Sequence, residues 1–164
     1  MRGGAWPDLG GRMDGCTHVL PVRIYYEDTD FSGRVYHASY LRLCERGRSE
    51  LLRWAGLSHS GLLDEADGVG TVFFAVCRME IDFLGAATID DLLEVRTTFA
   101  GCTGARLAIE QQVRCGESEI MRARITVAAL GRDGRPRRIP SRLVNMLAAV
   151  TSADGEMTGN GTAS

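Results

Sequence analysis

Between His37 and Gly56 the apolar residues Tyr40, Leu43, Cys44, Gly47, Leu51 and Trp54 recur at steps of three and four, the spacing that lines one side of an α-helix. Arg42, Glu45, Arg46, Arg48, Ser49 and Arg53 occupy the other side, and Gly56 is placed to stop the helix, because glycine adopts the left-handed conformation of a C-terminal cap. Gly47 lies on the apolar stripe, where it costs helix propensity. Close approach of a neighbouring backbone would account for it. On either side of this helix the period changes to two. VLPVRIYYE (19–27) is rich in β-branched and aromatic residues and reads as a strand. VCRMEIDF (76–83) sets Cys77, Met79, Ile81 and Phe83 against Arg78, Glu80 and Asp82, the alternation of a half-buried strand. LLEVRTTF (92–99), ARLAIEQQV (105–113) and EIMRARITVAAL (119–130) continue the pattern, separated by turns at Gly101–Gly104 and Cys115–Ser118. LSHSGLLDEADG (57–68) reads as a short helix and turn, Asp133-Gly134 as a turn, and Ser141 as the cap of a last short helix, RLVNMLAAV.

Strands joined by short turns pair antiparallel, since a parallel return needs a long crossover. The expected architecture is therefore α+β: an antiparallel sheet of about five strands whose apolar face and the apolar stripe of one long helix bury each other. With 164 residues the chain fits one domain, expected over 18–150. Residues 1–17 (MRGGAWPDLGGRMDGCT) read as a flexible leader without the apolar stretch of a signal peptide, and the small, polar, Gly-rich 151–164 as a disordered tail. A net charge of −2 offers no basic field to a nucleic acid. No apolar run is long enough for a membrane span, which points to the cytoplasm. The five cysteines (Cys16, Cys44, Cys77, Cys102, Cys115) lack a C-x-x-C pair, so they are expected as reduced, mostly buried thiols rather than disulfides or a zinc site.

The chemistry concentrates in YYEDTDFSGRVYH, Tyr25 to His37. Three carboxylates (Glu27, Asp28, Asp30) precede the helix start, where unpaired N–H groups and the positive end of the dipole stabilise an oxyanion. Asp30 is placed to attack a carbonyl or to take a proton from water. Gly33 would let the substrate approach the backbone, and the helix start around Tyr36 and His37 would hold the oxyanion. The His37 ring would bond the substrate or orient Asp30. That set suits acyl transfer, but Asp28, Asp30 or Ser32 would equally serve as turn and helix caps. No metal-ligand spacing is present. Elsewhere, Gly56-Leu57-Ser58-His59-Ser60 nearly matches a nucleophile elbow but follows a helix instead of a strand. Glu45, between Arg42 and Arg48, reads as ion-paired, with a second catalytic carboxylate as the alternative. The basic run GRDGRPRR reads as a solvated turn, or as a phosphate contact through Arg135, Arg137 and Arg138.

Tyr26 to Tyr40, Y-x-D-T-D-x-x-G-x-V-Y-H-x-x-Y, resembles the signature of the hotdog-fold acyl-CoA thioesterases. The nearest group is the tol–pal-associated thioesterases, relatives of the 4-hydroxybenzoyl-CoA thioesterases. The similarity runs on through YLRLCERGRSELLR and RMEIDFLGAATIDDLLEV. It implies a hotdog, the sheet wrapped around one long helix, and hydrolysis of an acyl-CoA thioester to a carboxylic acid and free CoA. It further implies Asp30 as the catalytic carboxylate and the His37 N–H polarising the thioester carbonyl. No metal or other cofactor is implied. The resemblance implies homodimers or homotetramers with sites at the subunit interface. An acyl-carrier-protein thioester is an alternative substrate, and a non-enzymatic acyl-CoA sensor an alternative role. Two departures stand out. Phe31-Ser32-Gly33-Arg34 replaces the Ala-Gly-Gly-Val common after D-T-D, and Gly85-Ala86 replaces a Pro-containing turn.

Overall fold

The computed structural model of the chain describes residues 9–57 and 72–152. Along the chain the elements are β1 (Arg12–Asp14), β2 (Thr17–Arg23), α1 (His37–Trp54), β3 (Phe73–Phe83), β4 (Leu92–Thr103), β5 (Arg106–Cys115), β6 (Ser118–Leu130) and α2 (Ser141–Thr151). Every pairing is antiparallel and the sheet order is β1-β2-β4-β5-β6-β3. The sheet curls around α1, which lies against β2, β4 and β5. This is the hotdog architecture expected, with six strands among the described residues.

The predicted stripe buries Tyr40, Leu43, Cys44, Gly47 and Leu51, while Trp54 stays half outside. Burying each large side chain contributes about 1.5–3 kcal/mol. Gly47 lets the helix backbone approach the sheet closely. A Cβ there would stand 2.8 Å from both Thr97 Oγ1 and Val95 Cγ1, and 3.2 Å from Gln111 Nε2. Gln111, buried beneath the helix, donates from Nε2 to the Cys44 carbonyl (2.8 Å) and to Thr97 Oγ1 (2.9 Å). Its Oε1 accepts from Arg48 Nη1 at 2.8 Å, so all of its hydrogen-bonding groups are engaged in place of water. At the other end of α1, Gly56 takes φ +79°. The Leu57 N–H returns to the Leu52 carbonyl and the Gly56 N–H to that of Arg53, a Schellman closure.

Four local expectations need correction. Within the predicted leader, Arg12–Asp14 form β1 on β2. The fully buried His18 ring donates from Nε2 to the Gly10 carbonyl (2.6 Å), Trp54 Nε1 donates to the same oxygen (2.9 Å), and Asp14 meets Arg96 at 2.6 Å. Desolvation holds the His18 ring below its ordinary pKa, so it sits there neutral. Cys77 does not share a face with Met79, because a bulge between Val76 and Arg78 resets β3 and turns Cys77 outward. The thiols are free, but only Cys44 is buried, and burial pushes its pKa up to about 11. Ser141 is the first helical residue of α2, with Pro140 as the cap. The short helix expected over 57–68 and the tail after Ser152 lie outside the described residues. Among the described residues, no helix is long and apolar enough to cross a membrane.

The Gly47 contact is testable. Thr97 and Val95 are fully buried and β-branched, hence stiff at χ1, so they cannot swing away from a new methyl. Gly47→Ala gains about 1 kcal/mol of helix propensity against an overpacking cost of typically 1–3 kcal/mol. A lower urea midpoint is expected for the variant, and a raised midpoint would show that the helix is not seated on the sheet at this residue.

Candidate active site

The acidic loop is a short folded unit. Tyr26–Asp28 make one 3-10 turn, and Thr29 to Val35 then close a tight hairpin. Thr29 bridges Val35, the Asp30 N–H donates to the Arg34 carbonyl (2.9 Å), and the Gly33 N–H donates to the Asp30 carbonyl (2.9 Å). With Gly33 at φ +77°, this is the three-residue loop that ends in a left-handed glycine. A Cβ at Gly33 would meet nothing within 4 Å. The glycine is therefore required by its backbone angle, and the space beside it is open. The hairpin is held from below. Arg34 bridges Thr88, and the Val35 N–H donates to the Ala87 carbonyl (2.8 Å). The Ala87 N–H in turn donates to Tyr40 Oη (3.2 Å).

The three carboxylates separate by environment. Asp28 is buried, 6% exposed, and its Oδ2 accepts the Tyr25 N–H at 2.9 Å. Its carbonyl accepts both the Tyr36 N–H (2.9 Å) and the hydroxyl of buried Ser39 (3.0 Å), which fixes the loop to the start of α1. This residue is structural. Glu27 is exposed. Asp30 is also exposed, with Oδ1 accepting the Ser32 hydroxyl (2.5 Å) and the Ser32 N–H (2.8 Å). Those two bonds, helped by the nearby charges of His37 and Arg34, hold its pKa below the ordinary 3.8. Its Oδ2 accepts no hydrogen bond from any described residue. Asp30 therefore caps its own turn with one oxygen and presents the other, ionised, to solvent.

At the helix start, the Tyr36 N–H is committed to the Asp28 carbonyl and the Gly33 N–H to that of Asp30. Of the two donors expected at the helix start, Tyr36 is therefore not available to a substrate. The N–H groups of His37 and Ala38 have no acceptor among the described residues, as the first turn of a helix leaves them. The exposed His37 ring leans on Tyr36 (centroids 4.4 Å apart) and meets Phe83 edge-on (6.2 Å). It makes no hydrogen bond to Asp30, so it does not orient that carboxylate. Tyr36, Phe83 and Phe31 are all exposed and give the mouth an aromatic rim.

Other expected site residues lie apart. Gly131–Arg138 follow β6 at the end where Phe73 pairs with Leu130, whereas Phe83 stands beside His37. The length of β3 separates Arg135, Arg137 and Arg138 from Asp30 by roughly 30 Å within one chain, and Arg137 pairs with Asp133 at 3.0 Å. Glu45 accepts a hydrogen bond from the Ser49 hydroxyl (2.9 Å) instead of pairing with Arg42 or Arg48, which bond Ser39 and Gln111. It stands about 12 Å along α1 from His37. Ser58 and His59 lie outside the described residues. No group of His, Cys, Asp and Glu among the described residues is arranged to hold a metal ion.

The division between Asp28 and Asp30 is measurable. Asp28→Ala strands the part-buried Tyr25 N–H and is expected to cost about 1–3 kcal/mol of stability, while Asp30→Ala loses only exposed bonds to Ser32 and costs about 0.5 kcal/mol. Equal losses would remove the structural distinction.

The comparisons with known proteins agree with this geometry. Residues 25–150 match the family model of the thioesterase-like superfamily. The chain is 36% identical over 126 residues to the acyl-CoA thioester hydrolase YbgC of Escherichia coli O6:H1, covering 76% of this chain and 90% of that one. It is 40% identical over 111 residues to the acyl-CoA thioesterase YbgC of Haemophilus influenzae, covering 68% and 79%. Among solved structures, a probable thioesterase from Bartonella henselae superposes with a TM-score of 0.72 at 44% identity, over 76% of this chain and 99% of that one. The D-T-D loop, the helix it feeds and the sheet around them thus place the chain in the thioesterase-like superfamily, as a hotdog-fold acyl-CoA thioesterase.

Proposed function

We propose that Asp30 carries the hydrolysis. The observation behind this is the free Oδ2 of an ionised carboxylate that feels the charge of His37, on the loop that leads into a helix start whose His37 and Ala38 N–H groups are unpaired. A thioester carbonyl seated between them would meet the carboxylate, or a water it activates, on one side. Its oxygen would meet the helix N-terminus on the other, where developing negative charge is stabilised. His37 thus contributes through its backbone, with its ring part of the mouth.

Thiol release from short, long and aromatic acyl-CoAs, run beside an acyl-carrier-protein thioester, tests the proposal. Asp30→Asn is expected to keep its thermal midpoint and to lose on the order of 10²–10⁴ in kcat. The ionised form is the active one and its pKa lies below 3.8. Activity attributable to Asp30 therefore persists as the pH falls to that value and declines only beneath it. Near-wild-type turnover in Asp30→Asn would reject the assignment. Acyl-CoA binding by the wild type without any release of thiol would favour the sensor role.

A homo-oligomer is proposed on separate grounds. Among the described residues, β3 ends the sheet, pairs only with β6, and leaves Phe73, Val76 and Phe83 between 40% and 49% exposed. An unguarded apolar edge is a template for pairing with another chain, and a second copy would cover it. Light scattering is expected to return a multiple of 17.8 kDa, and a monomer mass at micromolar concentration would reject the oligomer.

A further inference from the structure

The hairpin that carries Asp30 sets a second charge on the same side. Thr29 and Val35 form the bridge, so Asp30 and Arg34 are the next pair inward, flanking the three-residue loop. Residues directly opposite in an antiparallel pair project from one face, with Cβ atoms about 4.5–5.5 Å apart. Val35, on the other face, is buried. The Arg34 backbone is fixed three ways: its carbonyl accepts from Asp30 (2.9 Å), its N–H donates to Ser32 Oγ (3.3 Å), and it bridges Thr88. Its guanidinium, in contrast, pairs with nothing among the described residues, and even Asp30 does not take it. Asp28, another carboxylate of the loop, is buried and occupied by Tyr25. The result is a rigidly based, uncommitted cation on the same face of the hairpin as Asp30, close enough for its charge to act on that carboxylate.

On the reading of Asp30 as the group that acts at the thioester, we infer that Arg34 is a specificity-determining residue that binds a carboxylate on the acyl group, a few carbons from the thioester carbonyl. The distance selects the ligand. Next to its sulfur the pantetheine arm of CoA carries only neutral amides, and the diphosphate lies at the far end of that arm, beyond the span of a five-residue hairpin. Within that span, an anion has to come from the acyl part. Without Arg34, the exposed Glu27 and the ionised Asp30 would repel such an acyl group. With it, the guanidinium offers a planar fork that matches a carboxylate.

The test compares glutaryl-CoA with pentanoyl-CoA, equal in chain length and different in the terminal carboxylate, after correction for spontaneous hydrolysis. Wild type is expected to favour glutaryl-CoA in kcat/KM by about tenfold. That ratio is expected to fall to near one in Arg34→Ala through a raised KM for glutaryl-CoA, and to be largely kept in Arg34→Lys. Because the ratio is internal to each protein, a general loss of folding or turnover does not move it. A ratio near one in wild type, or an unchanged ratio in Arg34→Ala, overturns the inference. Calorimetric binding of the two acyl-CoAs to Asp30→Asn, with and without Arg34→Ala, reads the same preference without hydrolysis. A failure of Asp30 as the catalytic group is thereby told apart from a failure of Arg34 as the reader of the acyl group.

Discussion

The contact between α1 and the sheet at Gly47 fixes where everything else stands. With no Cβ at that residue, the helix backbone descends onto Thr97 and Val95. Gln111 then bonds a helical carbonyl directly, where a longer spacing would admit water or leave its amide unsatisfied. A buried amide left without partners costs on the order of 1–3 kcal/mol, so the seat of the helix and the identity of residue 111 depend on each other. The same seat determines where the first turn of α1 emerges, ten residues before Gly47, and thus where its unpaired N–H groups point.

From that fixed point the acidic loop divides its carboxylates by solvation. Asp28 is drawn under the loop, where a buried carboxylate is tolerated only if its oxygens are engaged. Its backbone carbonyl gathers Tyr36 and Ser39, which denies the Tyr36 N–H to any ligand. The free donors therefore begin at His37. Two residues after Asp28, the chain has turned outward and Asp30 keeps one oxygen in water. A short polar run that reads as an excess of charge thus contains one carboxylate that builds the site and another that is free to act in it.

Much of this was legible in the sequence because periodicity is a strong signal over long elements. The helical stripe from Tyr40 to Leu51 and the alternation of LLEVRTTF and ARLAIEQQV report burial directly, and each is long enough to average out exceptions. What was not legible has local causes. β1 has three residues, two of them charged, and is held by His18, Trp54 and Arg96 from elsewhere in the chain. The bulge at Cys77 depends on the register with β6, which the strand's own alternation does not encode. The roles of Asp28 and Asp30 differ only through which side of the loop is buried, and both residue types suit caps. The D-x-x-G spacing from Asp30 to Gly33 could have signalled the left-handed hairpin glycine. The distance of the Arg135–Arg138 turn from the loop is set by the strand topology and is invisible to composition.

The hydrogen bonds to Asp30 also carry a chemical consequence. Two donors from Ser32 on one oxygen keep the carboxylate ionised, and by stabilising the anion they reduce its basicity. A weakly basic carboxylate is a poor match for expelling an alkoxide or an amide. A thiol, with a pKa near 8.5, leaves far more readily as its anion, so less push is needed from the attacking side. What the site must supply is an anion that is always present and an oxyanion partner that is always oriented. In the role proposed for Asp30, a turn that caps itself on that residue and a helix start already seated on the sheet would supply both without rearrangement, which would match the loop to a thioester more closely than to an oxygen ester or an amide.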